Sequence, residues 1–420
     1  MQRAHGALAW ADVCAPAIAL ARDGFAVTHN LRRFTRMMLP RVRADAMVSA
    51  IFLREGEPLP LGSLLVQRDL ADTLSAIAAG GADAFYRGAL GKALARAARA
   101  AGAPFDADDL AACEAEVQAP IAATYRGFEV RQTPPNSTGF VLLQELKIAE
   151  RFDLAALGPE SPELVHLLVE AKKRAFRDRE RHAGDPRRAA VPVDALLAES
   201  HIDRLAAGID RERAATMPVR WPLPADGDTT YFCVVDAAGN AVSAIQSLNT
   251  AFGAGAMAAG TGVLLNNRMT CWHLDPGHPN ALAPGKRVRH TMNAPMILRD
   301  GRVWALLGTP GADNQVQINL QAAVWLIDHG FDPQRAAEAP RWSSSQRGQE
   351  ANWPHGGDDA LTLERDFPAA TVEGLRARGH EVKLVPPLEG PCSLACIRVL
   401  DNGVRMAGSD PRRDGWAAAY

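Results

Sequence analysis

Two adjacent threonines, Thr229 and Thr230, stand where a segment rich in Pro, Gly and Asp gives way to a strand-like pattern. The runs TTYFCVVD and AVSAIQSLN are joined by AAGN, which is typical of a β-hairpin with a four-residue loop. We expect Asp236 to pair with Ala241 in this hairpin.

That pairing would place Thr229 opposite Leu248 and next to Ser247 and Asn249. A threonine at the start of one strand would then meet a hydroxyl and a carboxamide at the end of its partner, and a threonine hydroxyl can serve as a nucleophile. Paired threonines are also common in ordinary strands, because β-branched side chains suit the pleat. Thr229 is therefore a candidate catalytic residue.

A second candidate is the turn within LLGTPGADNQVQINLQAAVWLIDHG. The pattern predicts a buried strand over residues 303–307, a Gly-rich turn, and a helix that ends near Gly330. The backbone N–H groups of Gly311 and Ala312, near the start of that helix, would suit an oxyanion or another anionic group. The turn lacks the Lys-Ser/Thr pair of a phosphate-binding loop, and a Gly-rich turn of this kind is often only a turn.

The elements that must position these residues form a helix-rich half followed by a strand-rich half. The stretch ALAWADVCAPAIALARDGFAV predicts a helix closed by Gly24, and a long amphipathic helix is expected from Ser161 to Gly184. Polar residues between 186 and 228 predict surface loops around a short helix. The residue pattern changes from polar and loop-like to strand-like at Asp228–Thr229.

The composition fits a soluble globular protein with a sizeable core. The chain has 420 residues, 47% of them hydrophobic, and a formal net charge of -2, so nothing favours nucleic acid or an anionic membrane as a partner. Six scattered cysteines suit neither a disulfide framework nor a zinc site. The N-terminal residues lack the apolar run of a signal peptide, so a cytoplasmic location is the expectation, or a periplasmic or secreted one if a longer N-terminus exists. We expect no metal and no organic cofactor.

The chain resembles the γ-glutamyltransferase (γ-glutamyltranspeptidase) family of N-terminal-nucleophile hydrolases over essentially its whole length. The motifs that carry the resemblance occur in family order: GADAFYRGAL, YRGFEVRQTPPNSTGFVLLQEL, EAKKRAFRDRERHAGDP, TTYFCVVDAAGNAVSAIQSLNTAFGAG, GVLLNNRM, APGKRVRHTMNAP, GTPGADNQVQ and GSDPR.

The resemblance implies a precursor that cuts its own chain between Asp228 and Thr229. Residues 1–228 would form the large subunit, residues 229–420 the small catalytic subunit, and the two fragments a heterodimer. The Thr229 hydroxyl would then be the nucleophile, with its own α-amine, of pKa near ~8, as the base. Ser247 matches a hydroxyl residue that hydrogen-bonds the nucleophile, and Asn249 matches an asparagine that holds the polar end of the substrate.

Further matches concern the oxyanion and the acyl group. Gly311 and Ala312 match the family's Gly-Gly oxyanion hole. His290 and Thr291 stand where classical members carry a Ser-Ser pair that grips the glutamyl α-carboxylate.

Two departures concern the α-amino group of a glutamyl substrate. Arg268 and Cys271 replace the acidic or amide residue and the aspartate that surround it in classical members. An arginine repels an ammonium group and attracts a carboxylate or carbonyl, which weakens the case for glutamyl specificity.

The fold that the resemblance implies is α+β: a four-layer αββα sandwich with two stacked sheets between helix layers. Family chains begin well upstream of LAWADVC, so this sequence is expected to be truncated at its N-terminus. The start codon is misplaced, the chain is shortened, or the product is a degenerate relative.

The expected activity is transfer of an acyl group from an amide, through an acyl-Thr229 ester, to water or an amino-acid or peptide acceptor. The default donor is a γ-glutamyl amide such as glutathione. An acylase or oxamate-type amidohydrolase activity on a non-glutamyl amide is the alternative within the family. An uncleaved, non-catalytic relative that acts as a binding or scaffold protein is the alternative from another class.

Overall fold

A computed structural model describes residues 1–218 and 228–420, except for the side chain of Asp228. Residues 219–227, in the polar loop expected before the cleavage site, lie outside the described residues. The chain divides into two compact units, the first comprising residues 1–117 and 250–267 and the second residues 118–249 and 268–420. The proposed subunit boundary at 228/229 falls within the second unit.

The first unit is mainly helical. Its helices are α1 (Gln2–His5), α2 (Trp10–Asp23), α3 (His29–Met37), α4 (Leu39–Ala44), α5 (Ala46–Phe52), α6 (Arg68–Tyr86), α7 (Ala89–Ala100) and α8 (Ala107–Ala111). Its short strands are β1 (Phe25–Ala26), β2 (Leu53–Arg54), β3 (Glu57–Pro58), β4 (Leu64–Leu65), β9 (Met257–Ala258) and β10 (Val263–Leu264). As expected, α2 closes at Gly24, whose φ of 86° favours glycine.

The second unit combines helices with longer strands. Its helices are α9 (Gly139–Ala149), α10 (Pro162–His182), α11 (Val193–Leu197), α12 (Glu199–Ala207), α13 (Asn314–Ile327), α14 (Pro333–Glu338) and α15 (Ala369–Ala377). Its strands are β5 (Ile121–Tyr125), β6 (Phe128–Gln132), β7 (Asp228–Val235), β8 (Ala241–Asn249), β11 (Met296–Arg299), β12 (Arg302–Gly308), β13 (Trp342–Ser344), β14 (Ala360–Glu364), β15 (Glu381–Val385), β16 (Ala395–Val399) and β17 (Arg405–Ser409).

The centre of the second unit is a six-stranded antiparallel sheet in the order β17-β16-β12-β11-β6-β5. Helices α9 and α13 pack beside this sheet. Side chains from both helices and from Ala305 and Leu307 of β12 form one apolar core. The β7–β8 hairpin packs against β12, where the Tyr231 ring covers Gly308 so closely that a Cβ there would lie 2.2 Å from the ring. A strand that alternates its side chains between two faces thus contacts helices on one and the hairpin on the other. A separate three-stranded sheet has the order β13-β14-β15.

The hairpin register differs from the expected one by a residue. Val235, not Asp236, pairs with Ala241, because Asp236 belongs to the loop and its carboxylate accepts the N–H of Asn240 at 2.8 Å. The register shifts between Asp228 and Thr230, and Asp228 then pairs with Asn249. Because of this shift, the Asp228–Asn249 pair at the Thr229 end of the hairpin is the one that the expected register also gives.

The long helix α10 is present, but its polar face is buried rather than exposed to solvent as an amphipathic pattern suggests. Nearly all its residues between Leu164 and Glu180 are buried, charged ones included. The buried Glu170 carboxylate, for example, accepts hydrogen bonds from Lys173 and Arg174 within the same helix. Neutralisation by neighbours allows a charge-rich helix to lie inside the unit, which the sequence pattern alone does not reveal. Among the described helices, we find none long and apolar enough to span a membrane.

Candidate active site

The site is built on the hairpin end where β7 begins and β8 finishes. The Thr229 hydroxyl donates to Ser247 Oγ at 3.1 Å, and the same oxygen accepts the backbone N–H of Asn249 at 2.8 Å. Thr229 is half-buried. Two donors on one hydroxyl oxygen fix its position, and Ser247 in turn orients the threonine oxygen.

Asn249 ends β8 in a left-handed backbone conformation, with φ at 81°, which Asn tolerates better than most residues. Its side chain is buried, and Nδ2 donates to Thr270 Oγ1 at 3.0 Å and to Asn352 Oδ1 at 2.6 Å. These contacts connect the hairpin to two segments that are distant in sequence.

A short 3₁₀-helix, Arg268–Cys271, supplies the next group of side chains. The Cys271 thiol donates to Asn352 Oδ1 at 3.3 Å and lies 3.6 Å from Asn249 Oδ1. Arg268 is half-buried, with Nη1 3.9 Å from Cys271 Sγ. Burial raises the pKa of Cys271 despite the Arg268 charge, so this position holds a neutral thiol beside a cation.

The turn after β12 presents two unused backbone donors. Gly311 has φ of 121°, and a Cβ there would lie 2.1 Å from Cys392 Sγ, so only glycine fits. Ala312 also has a positive φ, 48°. Within residues 1–218 and 228–420, no acceptor takes the N–H of Gly311 or Ala312. Two adjacent free N–H groups have the character of an oxyanion-binding turn.

His290 and Thr291 lie on a segment held by the 134–139 turn. The His290 N–H donates to Asn136 O at 3.2 Å, and its carbonyl accepts from Thr138 N at 3.1 Å. Burial, with the charges of Arg268 and Arg287, lowers the pKa of His290 to about 3. His290 is therefore neutral at pH 7, and the positive charges of Arg268 and Arg287 act on it in the same direction as burial.

Two buried clusters have the residue types of a metal site: His166, Glu170 and His380, and Glu180, His273 and His278. Both carboxylates are already neutralised, since Lys173 and Arg174 bind Glu170, while Arg179 and Arg289 bind Glu180. Cations at these positions compete with a metal ion, so the donor sets do not favour one.

The structure thus joins five of the expected residues in one chain of contacts: Thr229, Ser247, Asn249, Cys271 and Arg268. Gly311 and Ala312 form a separate turn after the strand that packs against β7, and His290 and Thr291 form a third segment.

Two contact residues were missed by sequence reasoning. Thr270 precedes Cys271 in the motif NNRMTCW, and this adjacency was the available signal. Asn352, about a hundred residues from Asn249, carries no local signal.

Comparisons with known proteins identify the family of this chain. The gamma-glutamyltranspeptidase family model matches residues 1–420. The chain is 37% identical to the glutathione hydrolase-like YwrD proenzyme of Bacillus subtilis over 417 residues, which covers 98% of this chain and 77% of that protein. The chain belongs to the gamma-glutamyltranspeptidase family.

Members of the gamma-glutamyltranspeptidase family that are named as acylases show a comparable sequence identity to this chain. The acylase ACY 1 proenzyme of Pseudomonas sp. strain SE83 is 40% identical over 415 residues, covering 99% of this chain and 72% of that protein. The crystal structure of cephalosporin acylase from Bacillus halodurans has a TM-score of 0.89 and 31% identity, and covers 100% of this chain and 76% of that one. The mixed helix-and-sheet architecture is therefore that of the family, whose named relatives include both glutathione hydrolases and acylases.

Proposed function

We propose that this protein is a self-cleaving amidohydrolase or acyltransferase in which Thr229 is the nucleophile. The observation that carries the proposal is the Thr229 hydroxyl, which donates to Ser247 Oγ at 3.1 Å at the start of a strand. Family membership and the proenzyme names of the relatives support it.

Cleavage begins when Thr229 Oγ1 attacks the carbonyl carbon of Asp228. The C–N bond between the two residues breaks, the nitrogen takes the hydroxyl proton, and an ester joins Asp228 to the threonine oxygen. Water hydrolyses that ester. The products are the Asp228 carboxylate and a Thr229 with a free hydroxyl and a free α-amine.

Turnover uses the same oxygen on a substrate amide. The α-amine, with an ordinary pKa of about 8, accepts the hydroxyl proton as Oγ1 attacks the amide carbon. The N–H groups of Gly311 and Ala312 stabilise the oxyanion. The C–N bond breaks as the leaving amine takes the proton back, and water or an amine then releases the acyl group from the ester.

Intact-mass spectrometry of purified protein tests the cleavage. We expect fragments of residues 1–228 and 229–420, the smaller with the N-terminal sequence Thr-Thr-Tyr-Phe. Thr229→Ala should remain one chain and serves as the matched control. Wild-type protein that is folded by circular dichroism yet stays intact after long incubation contradicts the proposal.

The contacts of the 3₁₀-helix favour a second candidate, an acylase whose acyl group lacks an α-ammonium. Arg268 and the neutral Cys271 occupy the positions at which classical members place acidic or amide groups, and Arg268 lies next to Cys271, which touches Asn249. A guanidinium there repels an ammonium and attracts a carboxylate or carbonyl. The default γ-glutamyl donor would be disfavoured for that reason.

Two anilides that differ by one group decide between the donors. Glutaryl-p-nitroanilide is γ-glutamyl-p-nitroanilide without its α-ammonium, so the ratio of their kcat/KM values isolates that charge. We expect the glutaryl compound to be cleaved faster by about tenfold, which corresponds to ~1.4 kcal/mol. Faster cleavage of the γ-glutamyl compound restores γ-glutamyl transfer as the function.

We also propose that the six-stranded sheet and the β7–β8 hairpin belong to the two stacked sheets of a four-layer αββα sandwich. Packing of the hairpin on the face of β12 opposite Ala305 and Leu307 supports this arrangement. A crystal structure of the cleaved protein in which the hairpin joins no second sheet would rule it out.

A further inference from the structure

The segment Gln349–Asn352 connects the two halves of the site that the proposed function requires. At one end, the Ala351 N–H donates to Asp313 Oδ2 at 2.9 Å, and Asp313 directly follows the proposed oxyanion donors. At the other end, Asn352 Oδ1 accepts from Asn249 Nδ2 at 2.6 Å and from Thr270 Oγ1 at 2.8 Å. Through the Ala351 N–H and the Asn352 side chain, this segment therefore contacts both Asp313, next to the Gly311–Ala312 turn (the proposed oxyanion turn), and the side chains of Asn249 and Thr270.

Arg179 of α10 binds both this segment and Asp313. Its Nη1 donates to Asp313 Oδ1 and its Nη2 to the carbonyl of Gln349, while Nε donates to Glu180 Oε1 at 2.8 Å. Arg179 is 1% exposed and Asp313 9% exposed. The Asp313 carboxylate thus accepts at both oxygens, one from Arg179 and one from the backbone of the segment.

A buried ion pair such as Arg179–Asp313 adds little to the free energy of unfolding, because the cost of removing two charges from water largely offsets their attraction. A buried pair with full hydrogen bonding does, however, fix geometry. The site needs fixed geometry, since donors that stabilise an oxyanion must stand within hydrogen-bonding distance of one atom, and a displacement of about 1 Å costs on the order of a hundredfold in rate.

We propose that the Arg179–Asp313 pair is a positioning element that sets the oxyanion turn and, through Ala351 and Asn352, the side chain of Asn249. The inference rests on the proposed function, because it assigns these two residues a role in the same reaction. Neither residue contacts the reacting atoms. Both act through the Gly311–Ala312 turn and the Gln349–Asn352 segment.

Asp313→Asn is the sharpest test, because an amide has one acceptor oxygen where the carboxylate has two. The variant must lose either the contact with Arg179 or the contact with Ala351 N, at unchanged side-chain size. We expect kcat on the preferred anilide to fall at least tenfold, with KM changed less than threefold, since positioning of the turn acts on the transition state rather than on ground-state binding.

Asp328→Asn is the matched control. Asp328 follows the other end of α13, and its two carboxylate oxygens likewise accept hydrogen bonds, from Arg126 Nε at 3.0 Å and from the Tyr125 hydroxyl. The same substitution there removes an acceptor from a buried ion network that, among the described residues, contacts none of the proposed site residues. At an equal loss of Tm, this variant should keep kcat within about twofold. If kcat falls equally in both variants, Arg179 and Asp313 are merely structural and the proposal is overturned.

Hydrogen–deuterium exchange gives a readout that does not depend on activity. In Asp313→Asn, peptides covering residues 309–315 and 349–355 should both exchange faster, whereas Asp328→Asn should leave them unchanged. Asn352→Ala, which spares the ion pair, should accelerate exchange near Asn249 without affecting residues 309–315.

The two proposals fail in different ways. A wild-type chain that neither cleaves nor turns over an amide refutes the proposed function, while the exchange data still decide whether Asp313 couples the two segments. Faster exchange in only one of the two peptides, or in neither, refutes the positioning proposal whatever the activity.

Discussion

Thr229 and Ser247 face each other across the hairpin, with their hydroxyl oxygens 3.1 Å apart and the threonine as donor. Ser247 Oγ is also held by the N–H of Asn249 at 2.8 Å. The serine is therefore in a position to orient the proposed nucleophile, and the proposed reaction depends on this end of the hairpin.

Ser247→Ala should slow both chain cleavage and turnover. It removes the acceptor of the Thr229 hydroxyl, a neutral hydrogen bond whose net value is about 0.5–1.5 kcal/mol, so we expect a loss of roughly three- to tenfold in each rate. Ser247→Thr keeps a hydroxyl and should retain most of the activity. Release of residues 229–420, followed by mass spectrometry, and kcat of the cleaved enzyme measure the two effects. Unchanged rates in the alanine variant would show that Ser247 does not orient Thr229.

The Gly311–Ala312 turn, the proposed oxyanion turn, allows two glycine–alanine exchanges with opposite expected outcomes. Gly311→Ala places a Cβ 2.1 Å from Cys392 Sγ at a φ of 121°, and we expect a loss of at least ~2 kcal/mol in stability together with most of the activity. Ala312→Gly relieves a left-handed alanine, φ 48°, and should leave stability equal or higher by up to ~1 kcal/mol with activity retained. Urea unfolding and kcat check both; destabilisation by Ala312→Gly would mean that the turn carries no strain at this position.

Arg268→Gln should change the preference among donors rather than the chemistry. Removal of the guanidinium lifts the repulsion of an α-ammonium, so the ratio of kcat/KM for γ-glutamyl-p-nitroanilide over glutaryl-p-nitroanilide should rise about tenfold, or ~1.4 kcal/mol. Arg268→Lys keeps the charge and is the control. A ratio that is the same in wild type, Arg268→Gln and Arg268→Lys would exclude Arg268 from the acyl site.

The buried carboxyl of Glu145 should make the free energy of unfolding depend on pH. Both its carboxylate oxygens are buried without a hydrogen-bond partner in the described part of the chain, and burial raises its pKa from 4.5 to about 8, although Lys172 and Arg179 act in the opposite direction. Between these pH values the folded protein holds a proton that the unfolded chain has released. Stability contributed by this carboxyl is therefore present at low pH and lost as the pH rises towards 8.

Glu145→Gln removes that titration. Relative to wild type, the variant should gain stability as the pH rises from 5 to 8, by an amount on the order of a few kcal/mol at the upper end. Urea unfolding of both proteins at three pH values in this window measures the difference. A constant difference across the window would mean that the carboxyl is ionised in the folded protein throughout.

The parts of the fold that depend on local patterns were predictable. Alternation and turn residues located the β7–β8 hairpin, Gly24 marked the end of α2, and the apolar run before GTPG gave β12 followed by α13. The register was wrong by one residue because Asp236 caps the loop through its own carboxylate, a local contact that competes with strand pairing.

The sequence by itself determined the hairpin, the Thr229–Ser247 neighbourhood and the glycine-rich turn, because each depends on residues within a few positions of one another or on the two-residue period of paired strands. The tertiary structure alone decided that α10 is buried on nearly every side and that Arg179 reaches Asp313. It also decided that Asn352 Oδ1 accepts hydrogen bonds from both Asn249 and Cys271. These contacts join positions about 80 to 130 residues apart, and no local period encodes them. They exist because a buried charge or amide must find a partner somewhere in the folded chain.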